Sequence, residues 1–210
     1  MNENEKNVPA VVAKRLPRYY RYLSELLSSG VNRISSGELS SLMNVTASQI
    51  RQDFNYFGGF GQQGYGYNVE YLHKTIGEIL GLDKGNSAIV IGVGNLGRAI
   101  ANHDQFEKRG FKIAALFDVD ENIVGKQING KHVYHTDELE KYLESNKTDI
   151  AILTVPVETT QAVADRVIAC GITGLLNFSD TEIKTEKGIS VENVHFSDAL
   201  MMLSYRLRYE

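Results

Sequence analysis

The sequence predicts an α/β chain in two parts, a small helical unit with a helix-turn-helix and then a doubly wound parallel sheet. Three observations predict it. Two helix-start signatures, Ser35-x-x-Glu38 and Thr46-x-x-Gln49, follow each other closely. An apolar strand, AIVIGV, runs directly into G-x-G-x-x-G at Gly92, Gly94 and Gly97. Beyond it, apolar runs and amphipathic stretches alternate along the rest of the chain, as in sheets whose strands are joined by helices.

The first helix comes from PAVVAKRLPRYYRYLSELLSSG. Leu16, Tyr19, Tyr20, Leu23, Leu26 and Leu27 form a stripe of helical period that stops at Gly30. Pro17 belongs in the first turn, where its missing N–H removes no helical bond. In each start signature the hydroxyl accepts from one free backbone N–H while the Glu or Gln reaches back to another. Two short helices therefore begin near residues 36 and 47, joined by the turn Met43-Asn44-Val45. That is a helix-turn-helix.

On the second of these helices Ile50 and Phe54 face the core, which leaves Ser48, Gln49, Arg51 and Gln52 for a groove. Arginine matches the edge of guanine and glutamine that of adenine; a solvated surface charge is the alternative for Arg51. GGFGQQGYGYNV follows, with five glycines between Gly58 and Gly66 interleaved with Phe60, Tyr65 and Tyr67. It reads as the hairpin of a winged helix, since glycine lets backbone come close to phosphates. Tyr56, Phe60 and Gln62 join Arg15 and Arg18 as further candidate DNA contacts. VEYLHKTIGEILGL closes the unit near Leu82, and DKGNS marks a boundary, giving a DNA-binding domain over 1–84.

Charge supports this division. Between Lys6 and Lys74 eight Lys and Arg face four Asp and Glu, whereas residues 85–210 carry 13 against 18. The front part suits a polyanion although the whole chain has net charge −4. No apolar run approaches the roughly 18 residues that span a bilayer. The N-terminal residues show no secretory pattern, so the expected compartment is the cytoplasm. Cys170, the one cysteine, is expected as a buried thiol at a helix end.

In the rear part the glycine loop reads as a dinucleotide fingerprint. The first glycine makes the turn, the second admits a pyrophosphate and the third lets helix pack on strand. Val93, Asn95 and Leu96 complete the loop. KIAALFDVD supplies a second strand ending in Asp118, 21 residues beyond Gly97. A carboxylate there bonds ribose hydroxyls and repels a 2′-phosphate; Val119 and Asp120 add no arginine, so NADH and NAD+ are expected rather than their phosphorylated forms. Helix over Thr136–Glu144, strand DIAILTVP, helix Glu158–Ala169, strand ITGLLNFS and a smaller strand near ISVENVHF follow. Together they make a Rossmann sheet over 85–196. Thr154, Val155 and Pro156, then Asn177, Phe178 and Ser179, fall at strand ends where the nicotinamide would lie, unless they are ordinary loops. SDALMMLSYRLRYE, residues 197–210, is an apolar helix that needs another surface, either on its own chain or, as groove-reading helices commonly work in symmetric pairs, on a second subunit.

Hydride transfer needs a substrate region and a proton donor beside the nicotinamide. One dinucleotide fold and a helix use up the residues after 84. No Tyr-x-x-x-Lys pair occurs there, and His103, His195 and Asp198 are the only acid–base candidates. No enzyme activity, no metal and no turned-over substrate are therefore expected. A small NAD-dependent oxidoreductase and a coenzyme A-binding protein remain the alternatives.

RLPRYYRYL, VTASQIRQDFNYFGGFGQQGYGYNV and IVIGVGNLG with FDVD resemble the Rex family of redox-sensing transcriptional repressors along almost the whole chain. The resemblance implies a homodimer that exchanges its terminal helix, binds a palindromic operator and releases it when NADH binds. It implies that NAD+ binds more weakly and permits DNA binding, and that the targets are genes of fermentation and NADH reoxidation. Similar proteins couple cofactor to head through an arginine matching Arg21, a tyrosine and an acidic residue. Here His103 and His195 stand at the latter two positions, which implies a pH-sensitive coupling.

Overall fold

The computed structural model describes residues 8–57, 61–62 and 65–209. The chain forms two compact units that part between Asp83 and Lys84.

The first unit begins with a short helix the sequence had not suggested, α1 (Ala10–Ala13), and then α2 (Leu16–Ser28), with Pro17 in its first turn. β1 (Arg33–Ile34) leads to α3 (Ser36–Met43) and α4 (Ala47–Asn55). Asn44 turns the chain between them in the left-handed region at φ 52°. Short strands β2 (Gly61–Gln62) and β3 (Gly66–Asn68) form an antiparallel sheet in the order β1-β3-β2, and α5 (Val69–Ile79) follows. Gly66 has φ +70°, and a Cβ there would stand 2.8 Å from the carbonyl oxygen of Ile34, so the hairpin requires glycine. Leu16, Tyr19, Leu23, Leu39, Ile50 and Phe54 are buried together, and Tyr67 sets its ring edge-on to Phe54. Tyr67 of the expected wing is thus core, whereas Tyr65 is exposed.

The second unit runs β4 (Asn86–Ile91), α6 (Asn95–Ala101), α7 (Gln105–Lys108), β5 (Phe111–Asp118), β6 (Gln127–Ile128) and β7 (Lys131–His135). It continues with α8 (Leu139–Ser145), β8 (Ile150–Leu153), α9 (Val157–Ala169), β9 (Gly174–Asn177), β10 (Ser190–Asn193) and α10 (Phe196–Tyr209). The sheet order is β10-β9-β8-β4-β5-β7-β6, parallel throughout except for β6 at one edge. Taken from β7 inward, the parallel strands follow the 3-2-1-4-5-6 order of a Rossmann sheet. Three details differ from expectation. Thr136–Glu138 is a 3-10 turn and α8 starts only at Leu139. The β6–β7 hairpin had no alternating pattern long enough to announce it. β10 is as long as its partner β9.

Alternation divides the core. Ile89, Ile91, Ala115, Phe117, Ala151 and Leu153 face α8 and α9, while Ala88, Val90, Ile113, Leu116 and Ile152 face the side of α6. On the α6 side an apolar groove of about 380 Å³ stays open, lined in part by Phe106, Ile113, Ile152, Leu176 and Val191. The element following β10 is α10, and none of its residues is buried. Cys170, expected to be buried, ends α9 half-exposed, and burial of its thiol still pushes its pKa up.

Candidate nucleic-acid interface and dinucleotide site

In the first unit both helix starts are capped by their hydroxyls. The Ser35 side chain accepts from the Glu38 N–H, and Glu38 accepts from the Ser35 N–H in return. Thr46 accepts from the Gln49 N–H, but the reciprocal half of the second box is not made. The Gln49 amide turns instead along α4 and donates to Asp53 Oδ1 at 2.9 Å.

Asp53 is fully buried. Arg15 donates to both its oxygens, at 2.7 and 2.6 Å, and the Tyr19 hydroxyl donates at 2.8 Å. Burial alone would raise the Asp53 pKa; the bonds from Arg15, Tyr19 and Gln49 outweigh it and hold the carboxyl below its ordinary range. Burial, and then the bond to Asp53, push the Tyr19 phenol well up. Two expected DNA contacts have partners within the unit. Arg15 is an internal ion-pair partner, and Arg18 turns a terminal nitrogen onto the Met43 carbonyl at the end of α3. Their use inside the unit satisfies a buried carboxylate and an orphan helix-end carbonyl.

Ser48, Arg51 and Gln52 are exposed on α4, with Gln49 half-buried between them. Arg51 donates to the Ser36 hydroxyl at 3.1 Å from an exposed position. Tyr56, just past the helix, is exposed. Phe60 lies outside the described residues, and Gln62 is described only as backbone of β2. Arg21 is exposed on α2 with its guanidinium 5.5 Å from the Tyr22 ring centre.

In the second unit the three loop glycines meet different constraints. Gly92 has φ +92°, and a Cβ on it would lie 2.5 Å from the Thr154 carbonyl oxygen. A Cβ on Gly97 would lie 2.0 Å from the Gly92 carbonyl oxygen. One on Gly94 would meet nothing within 4 Å. The first two are demanded by the chain itself, whereas at the third the space is open.

Asp118, at the end of β5, accepts from the Val93 N–H with one oxygen and from the Asp120 N–H at 2.9 Å with the other. Thr154, at the end of β8, donates to the Gly92 carbonyl at 2.6 Å. The ends of β4, β5 and β8 thus converge at the reversal of strand order, where ligands bind in such sheets. Val93 is buried, Leu96 half-buried and Asn95 exposed, while Val155 and Pro156 lead into α9. Ser179 is buried and its hydroxyl lacks a partner among the described residues, and Phe178 stacks on Phe196.

Asn177, another expected ligand contact, has its side chain committed to neighbouring loops. It is fully buried, donates to the Thr181 carbonyl at 2.7 Å and to Asn193 at 2.9 Å, and accepts from the Ser179 N–H. Those partners sit on neighbouring loops, which residue spacing does not reveal. His103 lies in the turn after α6, exposed and edge-on to Phe106. His195 precedes α10 with Nδ1 3.5 Å from Asp180. Arg98 was missed. From α6 its Nε donates to the Val93 carbonyl at 3.0 Å, bringing an arginine to the loop whose N–H holds Asp118. Asp120, lowered chiefly by the Asn122 backbone N–H, feels its charge too. The position of Arg98 directly after Gly97 was the available signal.

A head with an exposed helix of groove-reading type, followed by a dinucleotide-type sheet, defines the class as a DNA-binding regulator with a ligand-sensing domain. Comparison with known proteins narrows this. A putative DNA-binding protein N-terminus family matches residues 7–55, and a CoA binding domain family matches 83–181. The redox-sensing transcriptional repressor Rex of Caldicellulosiruptor saccharolyticus is 51% identical over 97% of this chain and 93% of its own. That of Clostridioides difficile is 50% identical over 97% of both. The solved structure of RSP with β-NAD+ and operator DNA matches at TM-score 0.89 and 51% identity, over 95% of this chain and 92% of that one. RSP with β-NADH matches at 0.88 and 48%, over 96% and 94%. The chain belongs to the Rex family of redox-sensing transcriptional repressors. Among the described residues no helix is long and apolar enough to cross a membrane.

Proposed function

We propose that this chain is a homodimeric repressor that holds a palindromic operator through its first unit and lets go when NADH occupies the glycine loop. The observation that carries this reading is full-length likeness, at about half identity, to a repressor solved both with NAD+ on operator DNA and with NADH. We assign DNA contact to Ser48, Gln49, Arg51, Gln52 and Tyr56. Backbone around Gly92, Gly94 and Gly97 takes the pyrophosphate, and Asp118 takes the adenosine ribose. Thr154, Val155, Pro156, Phe178 and Ser179 flank the nicotinamide, and Arg21, His103 and His195 couple the two units. Domains over 1–84 and 85–196 are followed by the dimerisation helix, α10.

The dinucleotide is read and not consumed. Repression follows from differential affinity: NADH binds the released state more tightly than the DNA-bound one. Gel retardation on a duplex selected from random DNA tests this, with NADH and NAD+ titrated separately. Release at lower NADH than NAD+ is expected, and equal retention under both overturns the reading. The CoA-binding description of residues 83–181 favours one rival ligand. Coenzyme A that displaces NADH and itself frees the operator would establish it.

A further inference from the structure

Asp53 stands one helical turn after Gln49 on α4, and its carboxylate is fully buried although α4 is the helix assigned to DNA. Arg15 gives each of its oxygens a hydrogen bond, which keeps the acid ionised. An ionised carboxylate only accepts. A glutamine amide has a donor end and an acceptor end of nearly equal shape, and on a free surface it turns either way. Beside Asp53 one orientation is barred, because the amide oxygen would meet a carboxylate oxygen with no hydrogen between them. Nε2 must face inward, as it does at 2.9 Å. One amide hydrogen is then committed to Asp53, while Oε1 and the hydrogen beside it are left for the outside.

We propose that Asp53 is a positioning residue for base recognition: it polarises Gln49 so that α4 offers the major groove one acceptor and one adjacent donor. Adenine presents the matching edge, an N6 donor beside the N7 acceptor, whereas guanine presents two acceptors and meets the amide oxygen unfavourably. An unpolarised glutamine could turn its NH2 end to guanine, so the buried acid converts a permissive side chain into a selective one. Support of the fold by Arg15, Tyr19 and Asp53 is a separate effect and predicts no change in sequence preference. The proposal rests on the operator-binding reading above.

The test selects duplexes from a randomised library with the wild-type chain, Gln49→Met and Asp53→Asn. The wild-type site should contain, in each half, one A·T pair that Gln49→Met no longer requires. Asp53→Asn should lose about tenfold of the preference for adenine over guanine at that pair, the discrimination of one bidentate contact, and keep the other positions. If Asp53→Asn keeps the preference, or weakens every sequence alike, the acid serves only the fold and the proposal falls. A wild-type chain that enriches no sequence overturns the operator reading and this inference with it. A second measurement does not depend on Asp53→Asn folding. In the wild-type chain one side-chain amide hydrogen of Gln49 should exchange with solvent more slowly than either of Gln52, exposed on the same helix. Rates equal to those of Gln52 overturn the polarised amide.

Discussion

Gly94 and Gly97 lie three residues apart in one loop and should tolerate alanine very differently. At Gly97 the added methyl meets the Gly92 carbonyl at 2.0 Å, and the rigid loop cannot retreat. Gly97→Ala should lower the melting temperature of the sheet unit sharply. At Gly94 the space is open, so Gly94→Ala should melt like the wild type yet bind NADH at least tenfold more weakly by calorimetry, about 1.4 kcal/mol. Equal binding would mean that nothing approaches backbone there. Asp53 makes a second prediction. Burial raises its pKa, but hydrogen bonds bring it below the unfolded value. Its stabilisation is complete above the unfolded carboxylate pKa and is lost as pH falls through the folded one. Melting curves should show Asp53→Asn less stable at neutral pH by about 2–4 kcal/mol, with a shallower loss below roughly pH 4. At this scale the glycine pattern was legible because sterics tie it to consecutive positions. The Arg15–Asp53 pair, 38 residues apart, was not, since a cation near a helix start looks the same whether it meets phosphate or carboxylate.

Elements were read best where they carry their own boundary chemistry. α3 and α4 start one residue after Ser35 and Thr46, whose hydroxyls accept the first free N–H groups. α1, the β6–β7 hairpin and the 3-10 turn at Thr136 are short, and their form is decided by neighbours rather than by period. α10 makes the test for this scale. Phe196, Leu200, Leu203 and Leu207 recur on helical spacing and are all exposed. Exposed apolar surface of this kind marks an association site. Replacing Leu203 and Leu207 together by glutamate should halve the mass seen in sedimentation and abolish operator retention. A full-size particle would remove α10 from the interface.

For the whole molecule the governing quantity is the coupling between two ligands. If NADH lowers operator affinity, operator DNA must lower NADH affinity by the same factor, because binding free energies form a closed cycle. Titrating NADH calorimetrically with and without saturating duplex should show a loss of about 5–150-fold, equal to the loss in DNA affinity caused by NADH. Unequal factors would require a third state. Charge already separates the two roles along the chain, with excess cations up to Lys74 and excess anions after residue 85. That asymmetry was visible without a structure because it needs only counting. How the two units communicate was not, since coupling lives in differences between states and leaves no period or motif.

The carboxylate of Asp118 is anchored by two main-chain N–H groups, those of Val93 and Asp120. A receptor that is preset in this way has little ordering entropy left to lose at capture. In the proposed site that side chain needs no search among rotamers when a ribose arrives, so the selectivity it confers costs little affinity.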